Sequence, residues 1–124
     1  MRILVVDDDA LAGEMTAAVL ESLGHEPLLA ENGVEAMEQL AADTAIEMVI
    51  SDLNMPLVSG IDLFHEMRAG GVNLPFILLT GDDPEVARQQ EPKLDACLLK
   101  DFSLEESLPE IIAEVLAHYP SAPR

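Results

Sequence analysis

Basic residues are scarce in this sequence of 124 residues: six Lys and Arg stand against 24 Asp and Glu, which gives a formal net charge of -18. Such an excess of negative charge repels nucleic acid and anionic lipid, so we expect no direct binding to DNA or to a membrane surface. The acids are dispersed rather than gathered into one run, which argues against a disordered acidic tail. The charge instead favours a bound cation or a basic protein partner.

Cysteine and long apolar runs are also nearly absent. The single cysteine, Cys97, excludes an internal disulfide and is typical of a reducing cytoplasm. No apolar stretch approaches the roughly 20 residues that a membrane-spanning helix needs. The first apolar run, at residues 3–6, is too short for a signal peptide. We therefore expect a cytoplasmic protein that does not cross a membrane.

Aromatic residues make up only 3% of the sequence, although apolar residues make up 49%. A core can therefore form, but it must be built from aliphatic side chains and Met. The length suits one domain and is too short for two. We place that domain at residues 1–119 and interpret residues 120–124 as a tail or as the start of a linker.

Five short apolar runs predict buried strands, at residues 3–6, 27–30, 47–51, 76–79 and 96–99. Helical patterns alternate with them, at residues 10–23, 34–42, after Gly60, and at residues 84–90 and 108–118. This alternation argues for a parallel sheet with helices on both faces. Because the crossovers and the chain are short, we predict an α/β fold with an open, doubly wound five-stranded sheet rather than a barrel.

The first two helices carry predictions about their caps and buried faces. Asp9 is expected to cap the first helix. Apolar residues at helical spacing predict its inward face: Leu11, Met15, Ala18, Val19 and Leu23. The second helix is expected to bury Val34, Met37 and Leu40 or Ala41.

The last helix has two candidate starts, because Ser103 with Glu106 and Ser107 with Glu110 each match a capping box. Pro109 would lie well inside a helix that began at Ser103, where proline is unfavourable. We therefore predict the regular helix over residues 108–118, with a looser turn at residues 103–106.

Polar side chains stand where four of the predicted strands end. Asp7 and Asp8 follow the first strand, Asp52 the third, Thr80 the fourth and Lys100 the fifth. The carboxyl ends of parallel strands meet at one edge of the sheet, where doubly wound proteins bind ligands. We therefore expect these five side chains to form one site.

Three neighbouring carboxylates repel one another and stay ionised only beside positive charge. Lys100 supplies one charge, and a divalent cation such as Mg²⁺, bound through carboxylates, a backbone carbonyl and water, would supply more. Mg²⁺ beside Asp52 would neutralise an incoming phosphoryl group and let the carboxylate attack phosphorus, which gives an aspartyl phosphate. Thr80 and Lys100 could then donate hydrogen bonds to the phosphoryl oxygens.

Four segments together resemble the response-regulator receiver domain, the module that bacterial sensor histidine kinases phosphorylate. They are VVDDD at 5–9, SDLNMP at 51–56, LLTG at 78–81 and the late Lys100, in family order and spacing over about residues 2–118. The resemblance implies the following roles: Asp52 as phosphoacceptor and metal ligand, Asp7 and Asp8 as the acidic pair for Mg²⁺, Asn54 as a ligand through its backbone carbonyl, Thr80 as the switch hydroxyl, and Lys100 as the partner of the phosphoryl group.

The same resemblance implies the flavodoxin-like strand order 2-1-3-4-5. It implies a sensor histidine kinase or a histidine phosphotransfer protein as phosphodonor, Mg²⁺ as cofactor and a downstream effector protein or domain, and it leaves a homodimer open. The chain would be a phosphoacceptor that assists its own phosphorylation and dephosphorylation rather than an enzyme.

Two residues depart from the family pattern. Proline usually follows the lysine, whereas this sequence has Asp101, so we expect a trans peptide bond in that turn. Tyr or Phe usually stands three residues before the lysine, whereas this sequence has Cys97. The familiar coupling of the threonine to an aromatic ring therefore lacks its ring, and we expect Asp52 chemistry with a different readout.

Several polar residues have plainer interpretations than a role in the site. We interpret Asp9 as a helix cap, Cys97 as core packing, and Asp82 and Asp83 as a loop residue and a cap. The three histidines share no site and are interpreted as surface residues: His25, His65 and His118.

Two other functions stay open. A small haloacid-dehalogenase-like phosphatase would place its nucleophile in a D-x-D such as Asp7 to Asp9, and its phosphoryl group would then lie on Asp7 rather than Asp52. A pseudo-receiver would bind partners without phosphorylation, as Cys97 and Asp101 suggest, although the complete acidic triad argues against it.

Overall fold

Strands and helices alternate along the part of the chain that the computed structural model describes, residues 1–101 and 103–118. In chain order the elements are β1 (Arg2–Val6), α1 (Ala10–Ser22), β2 (Glu26–Ala30), α2 (Gly33–Ala42), β3 (Ile46–Asp52), α3 (Gly60–Ala69), β4 (Phe76–Thr80), α4 (Pro84–Gln90), β5 (Ala96–Leu99) and α5 (Leu104–His118). None of the helices in these residues has the length and apolarity needed to cross a bilayer.

The strands form one parallel sheet in the order β2-β1-β3-β4-β5. Its register places Val6 beside Ala30 and Ser51, and Thr80 beside Leu99. β4 is buried along its whole length, as expected for a central strand covered on both faces. The predicted doubly wound, flavodoxin-like α/β fold is therefore confirmed. The predicted tail, residues 120–124, lies outside the described residues.

Alternate side chains of each strand point to opposite faces of the sheet and build two separate cores. On one face, Leu4 and Val6 of β1 pack in a cluster with buried residues of α2, α3 and α4. On the other face, Ile3 and Val5 pack with Leu20 of α1 and with α5. Both cores are largely aliphatic, as the low aromatic content predicted.

The buried face of α1 differs from the predicted one. The structure buries Gly13, Thr16, Ala17 and Leu20. The predicted residues Leu11 and Met15 are instead 67% and 61% exposed, and Leu23 and Ala18 are exposed as well. Val19 was also predicted, and it is half-buried and packs against the core. The rest of the prediction was wrong because apolar residues occupy most of the circumference of this helix, so spacing alone did not select one face. The buried Thr16 is accommodated because its hydroxyl donates to the Ala12 carbonyl at 3.2 Å.

In α2 the predicted burial of Leu40 is confirmed, whereas Val34 is 61% exposed and its prediction was wrong. The loop after β3 packs instead on Gly33, the residue before Val34. A Cβ added at Gly33 would lie 3.0 Å from Val58 of this loop. Neighbouring residues on a helix point about 100° apart, so contact at Gly33 turns Val34 towards solvent.

α5 runs through Pro109, so the predicted start of this helix at residue 108 was wrong. Proline has no N–H, and the Glu105 carbonyl therefore loses one helical hydrogen bond. The helix persists because Leu108, Ile112 and Val115 are buried in the core beneath it. Burial of this apolar stripe outweighs the local cost of the proline.

The first turn of α5 also differs from both predicted capping boxes. The backbone carbonyl of Ser103, not its hydroxyl, accepts hydrogen bonds from the N–H groups of Glu106 and Ser107 at 2.9 and 2.8 Å. Ser107 lies inside the helix and caps nothing. The segment predicted as a loose turn is therefore helical from Leu104 onward.

Replacing Pro109 by Ala is expected to stabilise the domain by about 1 to 2 kcal/mol. The change restores a donor for the Glu105 carbonyl, and a small loss of rigidity in the unfolded chain offsets part of that gain. Urea unfolding measures the effect. Pro84→Ala is the matched control, because Pro84 stands in the first turn of α4, where proline is tolerated. Equal effects of the two substitutions would contradict this account of α5.

Candidate functional site

The five side chains predicted to share a site all stand at one edge of the sheet. Asp52 and Thr80 end β3 and β4, and Lys100 directly follows β5. Asp7 and Asp8 directly follow β1. The last residue of β1, Val6, pairs with Ser51, which precedes Asp52. Parallel pairing therefore brings together residues from four strands that are far apart in sequence.

Lys100 is the positive centre of this site. Its Nζ lies 2.6 Å from Asp7 Oδ2 and 3.5 Å from Asp52 Oδ1. Its backbone N–H donates to the Thr80 carbonyl at 2.7 Å, which continues the pairing of β4 and β5 by one residue. The ammonium thus bridges the carboxylates that follow β1 and end β3.

Burial and like charge raise the pKa of Asp52. The residue is 8% exposed, and desolvation of its carboxylate is the main cause of the higher pKa. The charges of Asp7 and Asp8 raise this pKa further, whereas Lys100 opposes them. Burial disfavours the charged form of Lys100, but the hydrogen bond that its ammonium donates to Asp7 and the charge of Asp52 outweigh this effect and raise the pKa of the ammonium. Lys100 therefore stays charged in a site where three carboxylates stand beside one ammonium.

Asp7, Asp8 and Asp52 present carboxylate oxygens that all lie within 4.8 Å of one another. Asp7 and Asp52 are buried, and Asp8 is exposed. Hard oxygen ligands with one solvent-facing side are the donor set that Mg²⁺ prefers, since this ion usually keeps several of its waters. The residues present therefore fit Mg²⁺. Asn54 is exposed in the loop two residues after Asp52, and ligation by its carbonyl stays a prediction.

Replacing Asp52 by Asn is expected to stabilise the magnesium-free domain by about 1 kcal/mol at pH 7. A carboxyl group whose pKa is raised by folding favours the folded state below its unfolded pKa, and this contribution is lost as the pH rises through the folded pKa. The neutral amide avoids that loss. The stabilisation should therefore shrink towards pH 4, near the unfolded pKa of Asp. Urea unfolding in EDTA at both pH values measures it, and equal or lower stability of the variant at pH 7 would contradict the electrostatic account.

Asp9 caps α1, as predicted. Its Oδ1 accepts hydrogen bonds from the N–H groups of Leu11 and Ala12, at 3.0 and 3.3 Å. The backbone N–H of Asp9 donates to Asp7 Oδ1 at 2.9 Å. Asp9 thus orients Asp7 through its backbone, while its own carboxylate serves the helix.

Thr80 is buried, and its hydroxyl oxygen accepts a hydrogen bond from the Asp82 N–H at 3.1 Å. Asp83 caps α4 by accepting from the Glu85 N–H at 3.0 Å, as predicted. Thr80 therefore stands at the site with a hydroxyl that is tied to the following loop.

Gly60 is a residue of the site that the sequence analysis missed. A Cβ at this position would lie 2.4 Å from the backbone oxygen of Asp52 and 2.6 Å from Leu78 Cδ1. The Gly60 N–H also donates to the Leu53 carbonyl at 2.9 Å. The start of α3 therefore lies directly against the end of β3. The sequence signal was a glycine eight residues after the strand-end acid, and spacing alone does not reveal a backbone contact.

The two departures from the family pattern are both visible in the structure. The Lys100–Asp101 peptide bond is trans, as predicted. Cys97 is half-buried and packs against the core beneath α4, and burial raises the pKa of its thiol. The interpretation of Cys97 as a packing residue is therefore confirmed.

The three histidines lie apart, as predicted, and each has a local partner. His65 Nε2, in α3, lies 2.5 Å from Oε1 of Glu91, the residue that follows α4. His118 Nδ1 lies 2.8 Å from the Glu114 carbonyl, within α5. His25 lies beside the N-terminal amine and is half-buried rather than at the surface.

Residues 3–112 match the response regulator receiver domain. The chain belongs to this family. The matched range includes the site residues at the ends of four strands: Asp7, Asp52, Thr80 and Lys100. The chain is thus a response regulator receiver domain of two-component systems.

Curated relatives show the same domain in proteins of different length. The receiver domain is 37% identical over 110 residues to the response regulator MprA of Mycobacterium avium. This alignment covers 87% of this chain and 48% of MprA. It is 34% identical to the chemotaxis protein CheY1 of Helicobacter pylori, with 94% of each chain covered. It also matches 12% of the sensor histidine kinase RcsC of Salmonella typhimurium, at 35% identity. The chain therefore spans about half the length of MprA and nearly all of CheY1.

Solved structures agree with this assignment. The response regulator TrrA of Thermotoga maritima, solved in complex with Mg²⁺ and BeF, superposes with a TM-score of 0.81 at 32% identity, over 92% of this chain and 97% of TrrA. A response regulator receiver protein from Pseudomonas putida superposes with a TM-score of 0.80 at 31% identity, over 91% of this chain and 95% of that one.

Proposed function

We propose that this receiver domain accepts a phosphoryl group on Asp52 from a phosphohistidine of a sensor kinase or a histidine phosphotransfer protein, in a reaction that depends on Mg²⁺. The observation that carries the proposal is the contact of Lys100 with both Asp7 and Asp52 beside a third carboxylate. This arrangement holds a nucleophilic carboxylate and a fixed cation at one open edge of the sheet. Phosphoryl transfer needs mainly such positioning and charge neutralisation.

Each residue of the site then has a defined role in the transfer. A carboxylate oxygen of Asp52 attacks phosphorus, the P–N bond to the donor histidine breaks, and the imidazole leaves. Lys100 holds Asp52 in place and donates to the transferred phosphoryl oxygens, and Thr80 offers its hydroxyl to the same group. Mg²⁺, held by Asp7, Asp8, Asp52 and the Asn54 carbonyl, would neutralise charge on the phosphoryl oxygens.

The phosphorylated domain would signal through a conformational or interaction change, as a phosphoacceptor that assists its own phosphorylation and dephosphorylation. Thr80 is tied to the β4–α4 loop through the Asp82 N–H. A phosphoryl group that draws the hydroxyl inward would release this loop. Since Cys97 stands where a ring would otherwise move, the readout lies in this loop rather than in an aromatic side chain. We place the reaction in the cytoplasm, where the donor kinases keep their phosphohistidines.

The direct test is the intact mass of the native chain after incubation with acetyl phosphate and Mg²⁺. We expect one added phosphoryl group, and none when EDTA replaces Mg²⁺. An adduct that forms equally well in EDTA would contradict the role of the metal. No adduct from acetyl phosphate or from a sensor kinase would overturn the proposed function.

The exposed apolar side of α1 supports a protein as the physiological donor. Met15 and Lys100 both line an open groove of about 720 Å³ between α1 and the start of α5. Exposed apolar surface next to a reactive site is typical of a protein contact. A protein seated here would bring its phosphohistidine to Asp52.

Met15→Glu is expected to slow transfer from a phosphorylated histidine phosphotransfer protein at least about tenfold, because a charge in the centre of an apolar contact is strongly unfavourable. Transfer from acetyl phosphate should not change, since this small donor needs no protein contact. Phosphoryl incorporation measured with both donors separates the two effects. Val34→Glu is the matched control, because Val34 is also 61% exposed but lies on α2. Equal loss with both donors would contradict docking at α1.

A further inference from the structure

The segment after Lys100 is held by the side chain of Asp101. Asp101 is exposed, and its Oδ1 accepts hydrogen bonds from the Ser103 N–H at 2.9 Å and from the Ser103 hydroxyl at 2.5 Å. A carboxylate that accepts from the N–H two residues ahead closes an Asx turn. These hydrogen bonds also lower the pKa of Asp101, so the carboxylate is ionised at neutral pH.

This turn joins Lys100 to a firmly anchored helix. The Ser103 carbonyl accepts hydrogen bonds from Glu106 and Ser107 in the first turn of α5, and α5 is fixed by its buried stripe. On the other side, the Lys100 N–H is bonded to the Thr80 carbonyl at 2.7 Å. The backbone of Lys100 is therefore held from β4 on its N-terminal side and from the Asp101 turn on its C-terminal side.

The direction in which the Lys100 side chain points depends on both backbone restraints, the hydrogen bond to Thr80 and the Asp101 turn. Its Nζ reaches Asp7 and Asp52 at 2.6 and 3.5 Å by way of a long, flexible stem, which loses considerable rotamer freedom in this position. Asp101 has no ring to restrict its own φ angle, so the hydrogen bonds to Ser103 provide the local restraint. Without them, the peptide that follows Lys100 gains backbone freedom and the ammonium is held less well.

We propose that Asp101 is a positioning residue, whose side-chain turn with Ser103 holds the Lys100 ammonium against Asp7 and Asp52. Its effect on phosphorylation rests on the proposed function above, whereas its effect on Lys100 does not. The carboxylate acts as a hydrogen-bond acceptor and not through its charge.

The first arm of the test observes Lys100 directly, without phosphorylation. Lys93 and Lys100 are the only lysines in the sequence, so the ammonium signals in ¹H–¹⁵N NMR spectra assign readily. We expect a Lys100 ammonium signal in the native domain, because the ion pair with the buried Asp7 is partly shielded from water and this slows proton exchange. Asp101→Ala should weaken or remove this signal, whereas Asp101→Asn, which keeps an acceptor oxygen, should retain it. The exposed Lys93 is the internal control.

The second arm measures the initial rate of phosphorylation by acetyl phosphate and Mg²⁺. Asp101→Ala removes both hydrogen bonds from Ser103 and should lower this rate at least about fivefold, which is the scale of one ordinary net hydrogen-bond contribution. Asp101→Asn should keep at least about half of the native rate. In a Lys100→Ala background, adding Asp101→Ala should cause no further loss. Ser103→Ala, which removes the hydroxyl donor and keeps the N–H, should give a smaller loss and serves if Asp101→Ala does not fold.

The outcomes separate the two proposals. A native chain that takes no phosphate would overturn the proposed function, while the NMR arm would still decide the role of Asp101. An unchanged Lys100 signal in Asp101→Ala would overturn the positioning role. Equal loss in Asp101→Asn would assign the effect to charge, and an additive loss in the Lys100→Ala background would assign it to general stability. Either of these results would also overturn the proposal.

Discussion

Asp52→Asn is expected to abolish the phosphoryl adduct that acetyl phosphate and Mg²⁺ form on the native chain. An amide has no anionic oxygen to attack phosphorus, and the other carboxylates of the site are committed elsewhere: Asp7 is ion-paired with Lys100, and Asp8 is exposed to solvent. The loss should exceed about 100-fold, the scale of removing an activated nucleophile. Intact mass spectrometry over a time course measures it.

Asp9→Asn is the matched control for this loss. Asp9 stands next to the acidic pair, yet within the described part of the chain its carboxylate accepts hydrogen bonds only from α1 N–H groups. An Asn side chain caps a helix equally well. Phosphorylation of Asp9→Asn should therefore stay close to the native rate. An equally large loss in this control would mean that negative charge in general, rather than the Asp52 carboxylate, supports the reaction.

Other outcomes for Asp52→Asn point to the alternative functions. An adduct that persists in the variant would move the nucleophile to Asp7, as in a haloacid-dehalogenase-like phosphatase, and peptide mapping after borohydride reduction would locate it. A native chain that binds Mg²⁺ but takes no phosphate from any donor would favour a pseudo-receiver. The three functions are therefore distinguished by whether the chain takes a phosphoryl group and by which residue carries it.

Gly60→Ala is expected to destabilise the domain by about 2 to 3 kcal/mol and to slow phosphorylation at least about tenfold. The added methyl group would lie 2.4 Å from the Asp52 backbone oxygen, which is closer than any normal carbon–oxygen contact. Relief requires a shift of α3 or of the end of β3, and such overpacking commonly costs about 1 to 3 kcal/mol. Because the shift moves Asp52 itself, the rate of transfer falls together with stability. Urea unfolding and the acetyl phosphate assay measure the two effects.

Gly13→Ala provides the matched control for this substitution. A Cβ at Gly13 would lie 3.5 Å from both Asp7 Cβ and Leu29 Cδ2, which is ordinary van der Waals contact. Alanine inside α1 should therefore stabilise the domain by about 0.5 to 1 kcal/mol through helix propensity. A neutral or stabilising Gly60→Ala would contradict the close approach of α3 to β3.

The strands, and the polar residues at their carboxyl ends, could be predicted from the sequence alone. β4 carries an unbroken apolar run at residues 76–79, between Pro75 and Thr80, and such a run is typical of a strand covered on both faces. Parallel strands necessarily gather their carboxyl ends at one edge, so the shared position of Asp7, Asp52 and Lys100 follows from the order of the elements. These predictions succeed because each depends on a short segment and one topological rule.

The face of α1 and the length of α5 needed the tertiary structure. Leu11 and Leu20 are equally apolar, and only packing against the sheet decides that Leu20 is buried while Leu11 is exposed. Pro109 opposes a helix locally, and burial of Leu108 and Ile112 in the core overrides it. Local propensity is worth less than burial of an apolar stripe, so it loses where the two conflict.

The sequence by itself determined the α/β class, the sheet edge that carries the site and the residue types of the site. Tertiary structure alone decided which carboxylate Lys100 meets most closely, how near α3 comes to Asp52, and how the Asp101 turn joins Lys100 to α5. The reason is one of range. Periodicity and strand ends are properties of neighbouring residues, whereas ion pairs and backbone contacts arise between segments that only the folded core brings together.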